Sequence, residues 1–325
     1  MKRKISGINM LLFLFSYGVN AQETAGKSPW GPNDEIGTLN MMSGQSQLQA
    51  LRSVKLGKTY DLSVPYYVGM PGFNIFGDPQ YQYWLTHTPH GTLVDNPNGQ
   101  GESMNKKISY TSDAISMFTH TGTHIDALSH FGLEGKIWNG FSAEKYLGDK
   151  GWKKGSAETI PPIIARGVLI DMAAFKGKSV LDQNYRITVE DLRGALKKQE
   201  IKLAEGDVVL IRTGMAKFFQ EGNKYLDQYA GISLAAVKWL VEDQKVMTMG
   251  ADNLSLEMFP PEQEGNWVPV HTYLLAQKGV MFIENMFLEE LATDKVYEFA
   301  FIAASLKLRG ATGAPVRPLA LPFAK

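Results

Sequence analysis

The stretch Asp207-Val-Val-Leu-Ile-Arg212 places four consecutive aliphatic residues between two charged ones. Such a run is typical of a strand that is buried on both faces, as in parallel sheets covered by helices. Helical patterns lie on both sides of it. One begins at Thr188, with Asp191 three residues later in a spacing close to a capping box, and another begins at Ser233. This alternation of strands and helices predicts an α/β fold.

The rest of the chain extends the same alternation. Its apolar patterns predict a single domain over residues 22–325, built on a mixed β-sheet. Residues 66–112 show no clear periodicity and are expected to be irregular. Expected strands cover residues 59–64, 115–119, 168–171, 207–212, 246–250, 280–283 and 297–306, and expected helices cover residues 43–51 and 271–277 besides those at Thr188 and Ser233.

The composition excludes several classes of function. Of the 325 residues, Lys and Arg together number 33, and Asp and Glu also number 33. There is no basic surplus with which to bind nucleic acid or an anionic membrane. The absence of cysteine excludes thiol nucleophiles, Cys-ligated zinc and Fe–S clusters. The Gly-x-Ser-x-Gly, His-Glu-x-x-His and phosphate-loop motifs are also absent.

The first 21 residues have the pattern of a secretory signal peptide. Met1-Lys-Arg-Lys4 is a positive segment, residues 8–19 are apolar, and Val19-Asn-Ala21 is a small-residue cleavage site. The apolar segment is short for a transmembrane helix, and an uncleaved anchor is the alternative. We expect a mature protein that begins at Gln22, is periplasmic or secreted, and has no membrane segment.

The chemistry of the chain is concentrated in His120-Thr-Gly-Thr-His124-Ile-Asp126-Ala-Leu-Ser-His130. Neutral imidazole and carboxylate suit Zn²⁺, Mn²⁺ or Fe²⁺, and three protein ligands leave room for a reacting water. We therefore predict that His120, His124 and Asp126 coordinate a catalytic divalent metal. The alternative is that these histidines serve packing or lie on the surface, but three of them with an Asp in eleven residues favour a metal site.

The same spacing predicts a local conformation. We expect a strand end that bends through residues 121–123 into a helix starting near His124, because residues four apart share a helical face. Gly122 would permit an unusual backbone dihedral at the bend. On that helix His130 lies one turn after Asp126 and points into the site without being a ligand. We expect His130 to act as general base and then as general acid.

Five further residues are candidates for the site. His271 and Glu284 are candidates for a second metal position or, for His271, for contact with the substrate. Phe73 and Trp84 are candidates for the wall of an aromatic substrate pocket, since such pockets are mostly apolar, although both could equally be core residues. Arg212 ends a buried strand and is a candidate for orienting a carboxylate product, with a structural salt bridge as the alternative.

The residues 120–131 resemble the His-x-Gly-Thr-His-x-Asp-x-x-x-His signature of the cyclase family, which includes bacterial kynurenine formamidase and isatin hydrolase. Tyr60-Asp-Leu-Ser63 is similar to the early Asp-Leu-Ser strand of that family. His271 through Val280, followed by Glu284, resembles its second His/Glu element. The segment from Trp30 to Asn40 resembles the leader of the longer members. The resemblance covers roughly residues 30–310.

The resemblance implies a swivelling β/β/α-type α/β fold and a homodimer or larger homo-oligomer. It implies metal-dependent hydrolysis of an amide, often a cyclic amide or a formamide. By position, His120, His124 and Asp126 match the metal ligands of the family, and His130 matches the proton shuttle.

One departure bears on the branch of the family. The compact formamidases have Pro where this chain has Leu128, and together with the longer leader this favours the isatin-hydrolase-like branch. In that branch a single metal, often manganese, is common. His271 and Glu284 match the second-metal ligands of two-metal members, and His271 could contact substrate instead.

These observations predict a metal-dependent hydrolase that cleaves a carbon–nitrogen bond of a small, aromatic or cyclic substrate with the help of Mn²⁺ or Zn²⁺. A lactone or ester hydrolase with the same residues is one alternative, because the metal and His130 do not discriminate between oxygen and nitrogen leaving groups. A periplasmic protein that binds a metal or small ligand without turnover is another. His130 separates the classes, because a binding protein has no need of a proton shuttle.

Overall fold

A computed structural model describes residues 24–73, 76–226 and 230–323. The predicted signal peptide, residues 1–21, lies outside these residues. Among the described residues, no helix is both long enough and apolar enough to cross a membrane.

Fifteen strands occur in the described residues, and they are numbered in chain order. They are β1 (Tyr60–Asp61), β2 (Gln82–His87), β3 (Ser112–Ser116), β4 (His124–Asp126), β5 (Leu147–Gly148), β6 (Gly151–Trp152), β7 (Ile163–Asp171), β8 (Arg186–Ile187), β9 (Val208–Arg212), β10 (Gly231–Ile232), β11 (Thr248–Ala251), β12 (Phe282–Glu284), β13 (Glu298–Ala303), β14 (Gly313–Pro315) and β15 (Leu319–Pro322).

The helices are short and lie between these strands. The α-helices in the described residues are α1 (Gly44–Arg52), α2 (Pro89–Asp95), α3 (Glu102–Asn105), α4 (Ala143–Tyr146), α5 (Met172–Phe175), α6 (Val189–Gln199), α7 (Asn223–Leu226), α8 (Leu234–Lys238), α9 (Pro269–His271) and α10 (Glu289–Thr293). Short 3-10 helices cover Gly37–Met41, Trp138–Gly140, Ala157–Thr159 and Met215–Glu221, and π-helical segments cover Trp239–Asp243 and Thr272–Lys278.

Nine strands form one sheet in the order β1-β15-β13-β7-β9-β11-β12-β4-β14. The four adjacent strands β7, β9, β11 and β12 run parallel to one another, as expected where helices cover both faces. The outer pairs are antiparallel on both sides of this parallel centre. The predicted α/β fold with a mixed sheet is therefore confirmed.

The central strands bear out the burial that their composition predicted. All five residues of β9 are buried, and β7 and β11 flank it on either side. The predicted helix after Thr188 is α6, where the Thr188 side chain accepts a hydrogen bond from the Asp191 amide and the Asp191 carboxylate accepts one from the Thr188 amide. Ser233 caps α8 in a similar way through the Ala236 amide. Local capping signals thus marked both helix starts correctly.

The stretch predicted to be irregular, residues 66–112, contains regular structure. β2 pairs with β3 in a separate two-stranded ribbon, and α2 and α3 lie in the connection between them. We call residues 82–116 the arm. Every residue of β2 is exposed, which explains why no buried face left a periodic signal in the sequence.

Candidate metal centre

The three residues of β4 present the centre of the histidine motif on a strand rather than on the predicted helix. β4 pairs with β12 on one side and with β14 on the other, so its conformation is set by two neighbours. Alternation along the strand points His124 and Asp126 to one face and the buried Ile125 to the other. Glu284 lies directly opposite His124 in the register of β12. The prediction of a helix starting at His124 was wrong, and the strand brings Glu284 into the same site.

The bend before β4 contains the unusual dihedral that was predicted. Gly122 has a φ of +62°, and a Cβ atom there would lie 2.7 Å from the Tyr66 ring. The Tyr66 hydroxyl donates to the carbonyl oxygens of Thr121 and Thr123, both at 2.8 Å, and thus secures the bend. The Gly122 carbonyl accepts a hydrogen bond from His124 Nδ1 at 2.8 Å. In the neutral imidazole, this bond leaves Nε2 of His124 as the lone-pair nitrogen that faces the site.

His120 lies at the start of the bend and reaches Asp126. Its Nδ1 is 2.7 Å from Asp126 Oδ1, and its Nε2 is 2.9 Å from the Thr312 hydroxyl. Its ring lies against the backbone of β14, where a Cβ atom on Gly313 would lie 2.5 Å from His120 Cε1. Thr312 and Gly313 were not among the sequence candidates, because nothing in the local sequence relates them to a motif almost two hundred residues earlier.

His130 also reaches the site, although not along a helix. It follows β4 in a turn closed by its own amide to the Ala127 carbonyl. Its ring stacks on His120 with centroids 3.8 Å apart, and its Nε2 lies 3.8 Å from Asp126 Oδ2. Burial and the neighbouring histidines hold the pKa of His130 well below its usual range, against the attraction of Asp126. His130 is therefore neutral at pH 7 and can accept a proton.

His271 enters from α9 and is oriented by a carboxylate that the sequence did not reveal. Its Nδ1 is hydrogen-bonded to the fully buried Glu257, which also accepts from the amides of His271 and Val270. Its Nε2 lies 3.3 Å from Glu284 Oε1 and 4.0 Å from Asp126 Oδ2. Burial alone would lower the pKa of His271, but Glu257 and Glu284 outweigh it and raise that pKa to about 10.

The donor set fits a divalent cation. In the described part of the chain, two groups of three residues have ligand atoms within 4.8 Å of one another: His120, His124 and Asp126, and then Asp126, His271 and Glu284. Asp126 belongs to both groups.

Three buried atoms of the site have no hydrogen-bond partner within the described chain, namely His124 Nε2, Asp126 Oδ2 and Glu284 Oε1. A buried polar atom without a hydrogen-bond partner is costly, and all three atoms belong to residues of the two ligand groups. Nitrogen and carboxylate oxygen atoms are the ligands that Zn²⁺ and Mn²⁺ accept, so the residues present suit such an ion.

The pKa values of the two buried carboxylates in the site, Glu284 and Asp126, are shifted in opposite directions. Burial raises the pKa of Glu284, and the negative charge of Asp126 adds to that effect. Burial would also raise the pKa of Asp126, but His130 and His120 hold it well below its usual range.

The cluster opens into a cavity of about 320 Å³. Phe73 lines it, as the sequence predicted, together with five further aromatic side chains. The lining residues are Phe73, Phe76, Asp78, Phe118, His120, His124, His130, Phe131, Leu254, Ser255, Phe259, Trp267, Val268, His271 and Glu284.

Two predicted pocket residues do not line this cavity. Trp84 lies on β2 in the arm and is 47% exposed. Arg212 ends β9 and pairs with Asp171 at 2.7 Å and with Glu289 at 2.8 Å. The assignment of Arg212 to the pocket was wrong, and the alternative of a structural salt bridge holds because both carboxylates surround its guanidinium group.

The family model described as putative cyclase matches residues 60–258, which include the bend, β4 and Glu257. The chain belongs to the cyclase family. Cyclase-like protein 3 of Oryza sativa is 25% identical over 201 residues, which are 61% of each protein. This chain thus spans about three fifths of the length of the rice relative. Cyclase-like protein 2 of Arabidopsis thaliana is 22% identical over 262 residues, covering 80% of this chain and 78% of the plant protein.

Solved structures share the fold of this cyclase-family chain. A structure described as a novel cyclase has a TM-score of 0.80 and 31% identity, covering 92% of this chain and 100% of the other. Isatin hydrolase A from Labrenzia aggregata, bound to benzyl benzoate, has a TM-score of 0.62 and 22% identity, covering 87% of this chain and all of its own. At that identity the isatin hydrolase shows a common fold alone.

Proposed function

We propose that the protein is a metal-dependent hydrolase that cleaves a carbon–nitrogen amide bond of a small, aromatic or cyclic substrate. The observation that carries the proposal is the buried cluster of histidines and carboxylates beside an aromatic cavity, in which His124 Nε2, Asp126 Oδ2 and Glu284 Oε1 have no hydrogen-bond partner. A binding protein would need the ligands but not the neutral His130 that lines the same cavity. The names of the structural relatives, isatin hydrolase among them, agree with hydrolysis.

The chain supplies ligands, a proton carrier and a largely aromatic cavity. His120, His124 and Asp126 would hold a divalent ion, and His271 and Glu284 would form a second position that shares Asp126. Such an ion polarises a carbonyl group and lowers the pKa of water toward neutrality. Asp126 and Glu284 contribute the negative charge that favours its binding.

His130 carries the proton in this proposal. Its depressed pKa keeps Nε2 unprotonated at neutral pH, so Nε2 is free to accept a proton as water attacks the substrate carbonyl. The same Nε2 then returns that proton to the leaving nitrogen as the carbon–nitrogen bond breaks. The ring of His120, stacked on His130 at 3.8 Å, restricts the orientation in which this transfer takes place.

Ester and lactone hydrolysis is the nearest alternative, because protonation by His130 serves an oxygen leaving group equally well. The test is a measurement of turnover with purified protein supplied in turn with Mn²⁺, Zn²⁺ or a chelator. Three substrates separate the possibilities: formanilide, isatin and the lactone phthalide. We expect metal-dependent release of product from an amide. Turnover of phthalide alone would favour the alternative, and no metal-dependent turnover of any of the three would contradict the proposal.

We also propose that the protein is exported and that it assembles as a homodimer or larger homo-oligomer. Export rests on the amino-terminal sequence pattern, and amino-terminal sequencing of the protein from a periplasmic fraction tests it, with Gln22 as the expected first residue. Assembly is supported by the arm, where Tyr83, Trp84, Leu85 and Ile115 are each about half exposed. An isolated two-stranded ribbon is marginal in water, so apolar cover from a second copy would stabilise it.

A further inference from the structure

The cavity beside the candidate metal centre has two chemically different ends. At one end lie the histidines and carboxylates of the centre. At the other end the walls are aromatic: Phe73 packs edge-on against Phe76 at 5.5 Å, and Phe76 against Trp267 at 5.9 Å. Phe76 and Trp267 are 69% and 51% exposed, so these two rings lie at the mouth. A substrate bound with its reacting carbonyl at the centre therefore extends its remote end toward these rings.

The charged groups of the cavity are of one sign apart from the histidines. Asp78 lines it five residues after Phe73, on the same loop that supplies Phe76. Among the described residues that line the cavity, none is Lys or Arg. Within the described part of the chain, no lysine or arginine pairs with Asp78, whose side chain is partly buried. The carboxylate of Asp78 is therefore available to a ligand.

We propose that Asp78 and the aromatic mouth select substrates whose remote end carries a positive charge, such as an alkylammonium group, and reject substrates with a carboxylate there. This inference rests on the proposed function and deepens it by specifying the substrate class. Asp78 is the specificity-determining residue, because it is the cavity carboxylate that does not belong to the centre.

Three physical effects act in the same direction. An ammonium group near Asp78 gains a charge-assisted hydrogen bond, which is stronger than one between neutral groups. The faces of Phe and Trp rings attract a cation within about 6 Å of their centroids. A carboxylate at the same place would face Asp78 without any basic side chain to offset the repulsion, and selectivity commonly depends on such a repulsive element.

The proposal can be tested without turnover by measuring the binding of three small probes of similar size. The probes are benzylammonium, benzyl alcohol and benzenesulfonate, titrated against metal-loaded protein by calorimetry. We expect benzylammonium to bind about tenfold more tightly than benzyl alcohol, and benzenesulfonate to bind most weakly. The preference should decrease as salt is raised from low concentration to about 1 M, because the mouth is partly exposed.

Asp78→Asn should weaken benzylammonium binding about tenfold while it changes benzyl alcohol binding less than twofold. Asp149→Asn, an exposed position outside the cavity, removes the same unit of charge and serves as the control. Asp78→Glu keeps the charge and should retain the preference, which separates loss of charge from misfolding.

Equal changes for all three probes in Asp78→Asn, or tightest binding of benzenesulfonate by the wild-type protein, would overturn this assignment. The outcome is distinct from failure of the proposed function. A protein that turns over none of the amide or ester substrates but shows the charge preference contradicts the hydrolase alone, whereas turnover without the preference contradicts only the role of Asp78.

Discussion

At the scale of single residues, the candidate centre depends on hydrogen bonds that fix which nitrogen of each histidine faces inward. His124 donates from Nδ1 to the Gly122 carbonyl, and His271 is hydrogen-bonded through Nδ1 to Glu257. In both residues Nε2 is left for the site. Such outer hydrogen bonds orient metal-ligating histidines and increase their basicity, so Glu257 positions His271 without itself reaching the cavity.

Replacement of His124 tests whether the cluster binds metal. His124→Ala removes a nitrogen that has no other partner and should abolish stoichiometric metal binding, because the remaining ligands cannot close the site. Elemental analysis of the purified protein by mass spectrometry measures the metal content. His90→Ala removes an exposed histidine outside the cavity and should retain the full content. Metal bound at wild-type stoichiometry in His124→Ala would contradict the assignment.

Replacement of His130 should have a different effect from replacement of His124. We expect His130→Ala to keep its metal and to lose roughly 10²–10⁴-fold in kcat, because the proton carrier is removed while the ligands stay in place. Steady-state kinetics on the best amide substrate, together with metal analysis of the same preparation, distinguishes the two roles. Unchanged kcat in His130→Ala would remove His130 from the mechanism.

At the scale of elements, the strand conformation of β4 and its pairing with β12 determine which candidate ligands lie close together. Asp126 and His124 share a face because they are two apart on a strand, and Glu284 joins them because β12 pairs with β4 in that register. A helix would have separated His124 from Asp126 by about 200° around its axis. The three residues of β4 are therefore enough to place two candidate ligands, His124 and Asp126, on one face of the sheet.

Gly122 gives a direct test of that bend. Gly122→Ala introduces a Cβ at φ +62° and 2.7 Å from the Tyr66 ring, so we expect it to reduce the free energy of unfolding by about 2 kcal/mol and to weaken metal binding. Chemical denaturation followed by circular dichroism measures the first effect. Gly57→Ala, where no atom lies within 4 Å of the added Cβ, is the matched control. Equal stability of the two variants would show that the bend tolerates a side chain.

Substitutions in the arm test the proposed assembly. Tyr83 and Leu85 lie on one face of β2, and Ile115 lies opposite Tyr83 on β3. Changing all three residues to Ser should convert the oligomer to monomer, as measured by light scattering after gel filtration, because the apolar cover between copies is lost. Leu147→Ser, at a similarly exposed position outside the arm, should leave the oligomer intact. A wild-type protein that is already monomeric would contradict the assembly.

At the scale of the whole molecule, the site stores unfavourable electrostatics that a cation relieves. Asp126 and Glu284 are both fully buried in the face of the sheet and contribute repulsion in the metal-free state. The pairing of β4 with β12 fixes the backbone positions from which both carboxylates extend. Stability of the protein should therefore depend on metal.

Removal of metal should lower the Tm. At a free metal concentration of about 100 times Kd, binding stabilises the folded state by about 2.7 kcal/mol, which corresponds to roughly 4 °C in a protein of this size. Differential scanning calorimetry with Mn²⁺ and with a chelator measures the shift. His124→Ala should show no shift in the same comparison. An identical Tm with and without metal in the wild-type protein would contradict a bound cation.

The sequence alone determined the parts of the protein that are encoded locally. Burial on both faces requires a continuous apolar run, so β9 could be predicted from six residues. The caps at Thr188 and Ser233 could also be predicted, because their side chains accept hydrogen bonds from backbone amides three residues later. The family and the identity of the candidate ligands followed from residues 120–131, because ligand type and spacing are properties of the sequence itself.

Only the tertiary structure decided the conformation and the membership of the site. β4 is a strand because β12 and β14 pair with it, and no local preference specifies those distant partners. Glu257 meets His271 through the same non-local packing, and two carboxylates surrounding Arg212 keep it out of the cavity. Contacts between residues far apart in the chain depend on the order and register in which the strands of the sheet pair. The local sequence pattern does not specify that order.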